Sequence, residues 1–147
     1  MISDDTKHQK ILETAILTAT KEELILKVYD YLIMSASQAC DRFHNAAHDV
    51  EGIHIALQRS QKALTLLMGS LNFEIGGEVA TNLFRVYEWW HHELVLANMS
   101  RDPARVERLI PVFKDYRATW AKAFAEFKTI QRTTNSAEAK GSFVAVG

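Results

Sequence analysis

Two rows of acidic and histidine side chains are the residues of this sequence best suited to chemistry. Asp41, His44 and His48 follow one another at spacings of three and four, and Glu88 with His91 repeats a carboxylate-x-x-histidine pair further along the chain. On a helix these spacings place side chains on one face. Carboxylate and histidine pairs on two facing helices are the ligands of di-metal sites in helical bundles. Metal binding is therefore the chemistry to weigh first.

The rotation of these residues about their helices argues against a metal site. At about 100° per residue, Asp41 and His48 lie roughly 160–180° from Leu32, which is on the apolar stripe of the same segment. By the same count, Glu88 lies about 160° from Trp90. Both rows therefore point away from the interior of a bundle, where a shared metal would bind. We expect neither metal nor cofactor, and a metal- or cofactor-binding bundle remains the alternative.

No other group of residues in the sequence predicts catalysis. The serines are scattered over helical segments, and Cys40 falls near an apolar stripe, so no nucleophile has an evident activating base. The pair Gly76-Gly77 precedes a helical pattern but lacks the strand and the lysine of a phosphate-binding loop. A structural turn explains this pair better. We expect that the protein is not an enzyme.

Composition narrows the class of protein further. The chain has 147 residues and a net charge of −1, from seventeen basic and eighteen acidic side chains. A nucleic-acid surface needs a basic excess, which this chain lacks. No apolar stretch approaches the ~20 residues of a membrane span, and the N-terminus has no signal-peptide pattern. We expect one cytoplasmic domain without membrane insertion, and a lone Cys40 that forms no intrachain disulfide.

Four amphipathic segments with short connections predict an all-α, antiparallel four-helix bundle. A capping box of Thr20 and Glu23 marks the start of the first helix, and Asp102 followed by Pro103 marks the start of the last. Pro111 lies inside the last segment and is expected to bend it without splitting it. The predicted helices cover about residues 21–50, 53–69, 78–99 and 103–132, with a break or bend at Gly52. Trp89, about 100° from Trp90 on its helix, is the tryptophan expected to be partly exposed. The predicted core stripes include Ile25, Leu32, Leu57, Val79, Leu83, Trp90 and Trp120.

The flanks of the bundle differ from it in composition. Residues 1–19 form an N-terminal arm whose Ile11, Leu12 and Ile16 make a short apolar face. Residues 133–147 are small and polar, which predicts a disordered C-terminal tail. The bundle itself is expected to span residues 20–132.

Apolar side chains also occur off the core stripes of the helices. They lie at least ~80° from the stripe centres. Packing at the boundaries between helices is one explanation. The other is a groove that receives an amphipathic segment, either residues 9–17 of this chain or a helix of a partner. These off-stripe residues are Leu26, Ile33, Ile55, Leu66, Phe84, Val95 and Leu96.

The order of several motifs resembles a known family. The most distinctive motif is Gly76-Gly77-Glu78-Val79-Ala80 with Asn82-Leu83 and Tyr87. Supporting motifs are Thr18-Ala19-Thr20, Glu22-Glu23-Leu24, Tyr29-Asp30, Leu71-Asn72, Leu94, Ala97-Asn98, Tyr116-Arg117 and Trp120. Over residues 11–125 this order is similar to the FliS family of flagellar secretion chaperones.

The resemblance implies a chaperone that binds the disordered C-terminal region of flagellin and prevents premature polymerisation before secretion. It also implies an N-terminal segment that covers part of the site, a contact with the flagellar export gate, and a monomer or weak homodimer. A chaperone paralogue with another cargo is the second alternative. The predicted partner-binding residues are Leu26, Ile33, Ile55, Leu66, Ala80, Phe84, Tyr87, His91 and Val95, and the predicted cap residues are Ile11, Leu12 and Ile16.

Overall fold

Four helices make up almost all of the described chain. This computed structural model describes Thr6 and residues 20–146, with side-chain surroundings for Thr6 and residues 20–139. The helices are α1 (Lys21–Asn45), α2 (Val50–Gly69), α3 (Phe73–Ser100) and α4 (Pro103–Val146). Each helix packs on the next one, and α4 also packs on α1. The predicted antiparallel four-helix bundle is thus confirmed, and the described part of the chain contains no strand.

Side-chain caps define where the helices begin. At the start of α1, the Glu23 amide donates to Thr20 Oγ1 over 3.2 Å and the Thr20 amide donates to Glu23 Oε2 over 3.3 Å. This reciprocal pair is the predicted capping box, and it satisfies two backbone donors that a helix start leaves unpaired. Asn72 caps α3 by accepting from the Ile75 amide over 3.1 Å. Side-chain caps in the connecting segments therefore fix where these helices begin.

The turn between α1 and α2 differs from the sequence prediction. The apolar stripe suggested one helix up to Val50, whereas α1 ends at Asn45 and Val50 begins α2. The Asp49 carboxylate accepts from the Gly52 amide over 3.0 Å and pairs with the Arg42 guanidinium over 2.8 Å. A Cβ atom on Gly52 would lie 2.2 Å from Asp49 Oδ2. Gly52 therefore makes room for the capping carboxylate instead of breaking the helix.

Aromatic rings fill the centre of the bundle. Trp90 is 1% exposed and meets Phe113 edge-on, with 5.0 Å between ring centroids. Tyr116 packs edge-on against the same indole at 4.7 Å. Predicted stripe residue Trp120 is only half-buried, and Trp89 is exposed as its rotation suggested. The core is thus centred on one of the three tryptophans.

Helix α4 is much longer than the bundle. It contains 44 residues, while the other helices contain 20 to 28. Pro111 lies inside it without splitting it, as predicted. The helix continues to Val146, beyond Arg132, where the sequence predicted its end, and the disorder of residues 133–147 stays a prediction. No proline follows Pro111, and residues such as Ala137 and Glu138 favour helix, so the chain contains no strong stop signal.

Candidate binding cavity

An apolar cavity lies at the end of the bundle where α1 begins, α2 ends and α3 begins. Its volume is about 290 Å³. We call it the apical cavity. Residues from the three helix ends contribute to its wall, and α4 contributes the Trp120 side chain. The side chains that matter most below are Ile25, Ile75, Val79, Leu83, Tyr87 and Trp120.

A kink near the start of α3 shapes this cavity. Gly77 has φ of 50° and ψ of −124°, a combination that interrupts the helix after its first turn. Residues with a Cβ atom rarely adopt this positive φ, so the backbone conformation at position 77 favours glycine. Gly76 is constrained differently, because a Cβ atom there would lie 2.8 Å from the Cβ atom of Ala80. The glycine pair thus gives α3 the kink and the close packing with which it forms one wall of the cavity.

The kink leaves apolar side chains exposed around the cavity. Phe73 is 49% exposed, Ile75 is 87% exposed and Val79 is 66% exposed. Val79 was predicted to lie on the core stripe, and this prediction is wrong because the stripe loses its alignment at the kink. The Phe73 ring instead packs edge-on against Phe84, with 6.0 Å between centroids. These side chains form an apolar rim beside the apical cavity.

Below the rim, hydrogen bonds join three aromatic side chains. Tyr29 Oη and Tyr87 Oη are 2.8 Å apart, and the Trp120 indole N–H donates to Tyr29 Oη over 3.1 Å. Burial raises the pKa of both tyrosine hydroxyls above their usual value. Both therefore remain protonated at physiological pH. Since Tyr87 and Trp120 line the apical cavity, this network connects its wall to the core.

The predicted partner-binding residues on α3 share one side of that helix. Ala80 and Tyr87 are buried and line the apical cavity, while Phe84 is half-buried next to the rim. His91 and Val95 are half-buried further along the helix, at spacings of four from Tyr87 and His91. Spacings of four keep these side chains on one face. This face continues from the apical cavity along α3.

The predicted residues on α1 lie elsewhere. Asp30 accepts two hydrogen bonds from Arg117 of α4, at 2.9 and 3.2 Å. Leu26 is four residues before Asp30 and Ile33 is three residues after it, so the three share one face. Leu26 and Ile33 are half-buried on the side of α1 that faces α4. They do not join the α3 residues in one groove.

The predicted residues on α2 form a third group. Ser60 of α2 faces α1, where its hydroxyl lies 2.8 Å from that of Ser35. His54 faces α3, with its Nδ1 atom 2.7 Å from the Asn98 side-chain nitrogen. Ile55 is half-buried and Leu66 is 45% exposed. The two residues lie about three turns apart on one face of α2. The nine predicted residues thus occupy three surfaces, and their role in binding stays a prediction.

Several cavity residues were missed by the sequence reasoning. Ile25, Leu83 and Trp120 were assigned to core stripes, yet all three line the apical cavity. Ile75 was placed in a connection. The signal that could have found them is the glycine pair, because a positive φ at Gly77 redirects the first turn of the helix. The predicted cap residues, Ile11, Leu12 and Ile16, lie outside the described residues.

The acidic and histidine rows are on the surface. Asp41 and His44 are exposed, and the His44 ring pairs with Glu107 of α4. His48 is in the α1–α2 connection, Glu88 is exposed and His91 is half-buried. The predicted outward orientation is therefore confirmed for Asp41, His44, His48 and Glu88. Among the described residues, no group of three His, Cys, Asp or Glu side chains is placed to hold a metal ion.

These features define a class of protein: an all-α four-helix bundle with an apolar cavity and rim at one end. In the described residues, no helix has the length and apolar character needed to cross a membrane. The chain belongs to the FliS family, because the family model described as "Flagellar protein FliS" matches residues 4–126. The resemblance inferred from the motifs is confirmed.

Two curated relatives carry the name flagellar secretion chaperone FliS. The protein from Vibrio cholerae is 25% identical over 88 residues, which cover 58% of this chain and 65% of the relative. The protein from Salmonella typhimurium is 26% identical over 113 residues, which cover 76% of this chain and 82% of the relative. The chain therefore spans just under two thirds of the first relative and more of the second.

Proposed function

We propose that this protein is a cytoplasmic flagellar export chaperone that binds the disordered C-terminal region of flagellin. The observation that supports this most directly is the apical cavity with its exposed apolar rim. A rim that exposes Ile75 at 87% and Val79 at 66% leaves apolar surface for a partner to cover. Family membership supplies the flagellar context.

The mechanism is coupled folding and binding. Covering a rim side chain such as Ile75 or Val79 contributes roughly 1.5–3 kcal/mol. Ordering each residue of a disordered partner costs roughly 1–2 kcal/mol. A helical turn of about 3.6 residues therefore costs about 4–7 kcal/mol to order, so a bound helix must bury about two apolar side chains per turn to offset this cost and gains little net free energy beyond it. Such binding blocks polymerisation while still allowing release at the export gate, which is the second contact that we propose.

The N-terminal arm is proposed to compete for the same cavity. Thr20 caps α1, and the next residue, Lys21, lines the apical cavity, so the arm is attached at its edge. A segment tethered this closely acts at high effective concentration. The arm presents Ile11, Leu12 and Ile16 for burial. In the free protein, a monomer or weak homodimer, the arm would shield surface that otherwise associates.

A titration with a synthetic peptide of the flagellin C-terminal region tests the proposal. Val79→Asp places a charge on the rim, so we expect at least tenfold weaker binding than for the unaltered protein. Met99→Asp is the matched control, because Met99 is 76% exposed on the same helix, about 30 Å away along the axis. Circular dichroism and thermal melting check that both variants fold.

The outcomes separate the components of the proposal. Weaker binding for Val79→Asp alone supports the apical cavity as the site. Equal affinity for both variants would place the site elsewhere on the bundle. Absence of binding by the unaltered protein would exclude flagellin and favour a chaperone for another cargo.

A further inference from the structure

The core stripe of α4 continues beyond the bundle. Within the bundle, Phe113 and Tyr116 pack on Trp90, and Trp120 lines the apical cavity. Beyond Trp120, side chains recur at the same alternating spacings of three and four residues, which is the seam pattern of a coiled coil. We call these side chains the outer stripe: Ala123, Phe127, Ile130, Thr134 and Ala137.

The outer stripe is exposed along its whole length. Every member is exposed, and the two large apolar side chains, Phe127 and Ile130, are 56% and 64% exposed. Phe124 lies beside the stripe and stacks on Trp120, with 5.4 Å between ring centroids. The apolar surface is therefore continuous from the wall of the apical cavity to the outer stripe.

The outer stripe and the apolar rim begin at the same height along the bundle axis. Helices α3 and α4 are antiparallel neighbours, and the Trp90 and Tyr116 rings meet with 4.7 Å between centroids. Val79 is eleven residues before Trp90, and Phe127 is eleven residues after Tyr116. Both therefore lie about 16 Å from this aromatic layer. The rim on α3 and the outer stripe on α4 thus flank the apical cavity from two helices.

The length of the outer stripe distinguishes between possible occupants. From Ala123 to Ala137 the stripe extends for about 21 Å. The apolar face of the N-terminal arm, from Ile11 to Ile16, would extend for only about 8 Å as a helix. A second copy of α4 carries a stripe of the same length and spacing. Helices with matching seams of this kind pack along their whole length.

We propose that the protein forms a weak homodimer in which the outer stripes of two α4 helices pack against each other in antiparallel orientation. In a parallel dimer, the partner's helix would continue into the bundle, where α3 already covers Tyr116. In the antiparallel dimer the two bundles lie at opposite ends of the paired helices. One patch then contacts the same patch of the second copy, as two-fold symmetry requires.

The bundle limits how far the two helices overlap. Each α4 helix ends at Val146, and this end must stop where the apical cavity of the other copy begins. A register with Thr134 of one copy opposite Ala137 of the other places the last turn of α4 level with Phe127 of the second copy. It also places Gly141 opposite Ile130, so a large side chain meets the smallest residue. The end of each α4 helix then lies at the mouth of the other copy's apical cavity.

Sedimentation equilibrium of the full-length protein tests the dimer. We expect a dissociation constant above about 1 µM, because two large apolar side chains per copy make a small interface. Ile130→Asp places a charge in the seam and should raise this constant at least tenfold. Thr129→Asp is the matched control, because Thr129 is the exposed neighbour outside the stripe, and it should change the constant by less than about twofold. Both positions are exposed, so the melting temperature should stay the same.

Three results would overturn the dimer. An unaltered protein that remains a monomer at about 1 mM would leave the outer stripe to the arm or to a cargo helix. An equal effect of Ile130→Asp and Thr129→Asp would show that the dimer does not use the seam. A dimer that is lost when residues 1–17 are deleted would place the interface on the arm.

The effect of cargo on the dimer rests on the proposed function. Because the end of α4 lies at the mouth of the apical cavity, the flagellin C-terminal peptide should convert dimer into monomer. A peptide that binds and leaves the dimer unchanged would refute this placement of the α4 end. A peptide that does not bind would count against the proposed function alone, since sedimentation tests the dimer without it.

Spin labels test the orientation of the two helices. Single cysteines replace Lys122 or Ser136, both exposed on one face of α4, in a Cys40→Ala background. The two-fold axis of the proposed register passes near Ser136, so two labels there should be close together. Labels at position 122 should be about 40 Å farther apart along the helices. Pulsed electron paramagnetic resonance measures both distances, and equal distances at the two positions would refute the antiparallel dimer.

Discussion

Three buried side chains keep ionisable groups neutral inside the bundle: Tyr29, Tyr87 and Cys40. Burial is the main cause that raises the pKa of each. For Cys40, the negative charges of Glu107 and Asp41 raise the pKa further, to about 11. These groups have no charged partner to offset the loss of hydration. The stability of the bundle should therefore depend on their remaining protonated.

The pH dependence of the free energy of unfolding can be measured for Cys40. Its pKa is about 11 in the folded protein against the ordinary 9.0, so folding favours the protonated thiol. The resulting stabilisation is complete below pH 9.0 and is lost as the pH rises through about 11. We expect the free energy of unfolding to fall by roughly 2–3 kcal/mol from this group. Urea unfolding at pH 8 and pH 11 measures it.

Cys40→Ala is the control for this prediction. Both tyrosines also destabilise the folded protein when they ionise at high pH, so the total loss includes their contribution. The variant lacks the thiol and should lose less stability over the same interval. An identical pH dependence in the two proteins would show that Cys40 is not responsible.

At the level of the helices, the backbone conformation of Gly77 kinks α3, and this kink shapes the apical cavity. Gly77 has a φ of 50°, and a Cβ atom there would meet nothing within 4 Å. The cost of an added side chain is therefore backbone strain and not a steric clash. A straight helix would move the first turn of α3 and change the position of Ile75. The kink thus maintains the rim.

Gly77→Ala should lower the free energy of unfolding by about 1–3 kcal/mol. It should also weaken binding of the flagellin peptide, because the rim shifts when the backbone relaxes. Gly69→Ala is the matched control: it also has open space around its Cβ position, lies at the end of α2, and should change stability by no more than about 1 kcal/mol. Chemical denaturation measures both variants. Equal free energies of unfolding for the two variants would mean that alanine adopts the backbone conformation of Gly77 without strain.

Sequence periodicity predicted the elements better than it predicted the cavity. The stripes of α1 and α2 identified Leu32 and Leu57, both 0% exposed. Periodicity assumes an uninterrupted helix, so it assigned Val79 to the core across the Gly77 kink. Nor could it separate a boundary residue such as Ile33 from a binding residue, because both lie off the stripe centre. Such a distinction needs the positions of neighbouring helices.

For the whole molecule, the proposed competition between the arm and a partner for the apical cavity can be tested by deletion. Deleting residues 1–17 removes the proposed competitor while keeping the Thr20 cap. We expect binding of the flagellin peptide to become tighter by less than tenfold, about 1.4 kcal/mol. We also expect lower solubility, because the apolar rim would lose the cover that we propose for it. Titration and light scattering measure the two effects. Weaker binding after deletion would mean that the arm supports the site.

The length of α4 determines how this protein moves in solution. At 1.5 Å per residue, its 44 residues extend for about 66 Å. A compact chain of 147 residues would have a radius of gyration of only about 15 Å. All described side chains from Ala125 to Ala139 are exposed, so this part of the helix projects from the bundle. The described part of the chain is therefore elongated along α4, and we expect anisotropic rotational diffusion and a frictional coefficient above that of a compact sphere of equal mass.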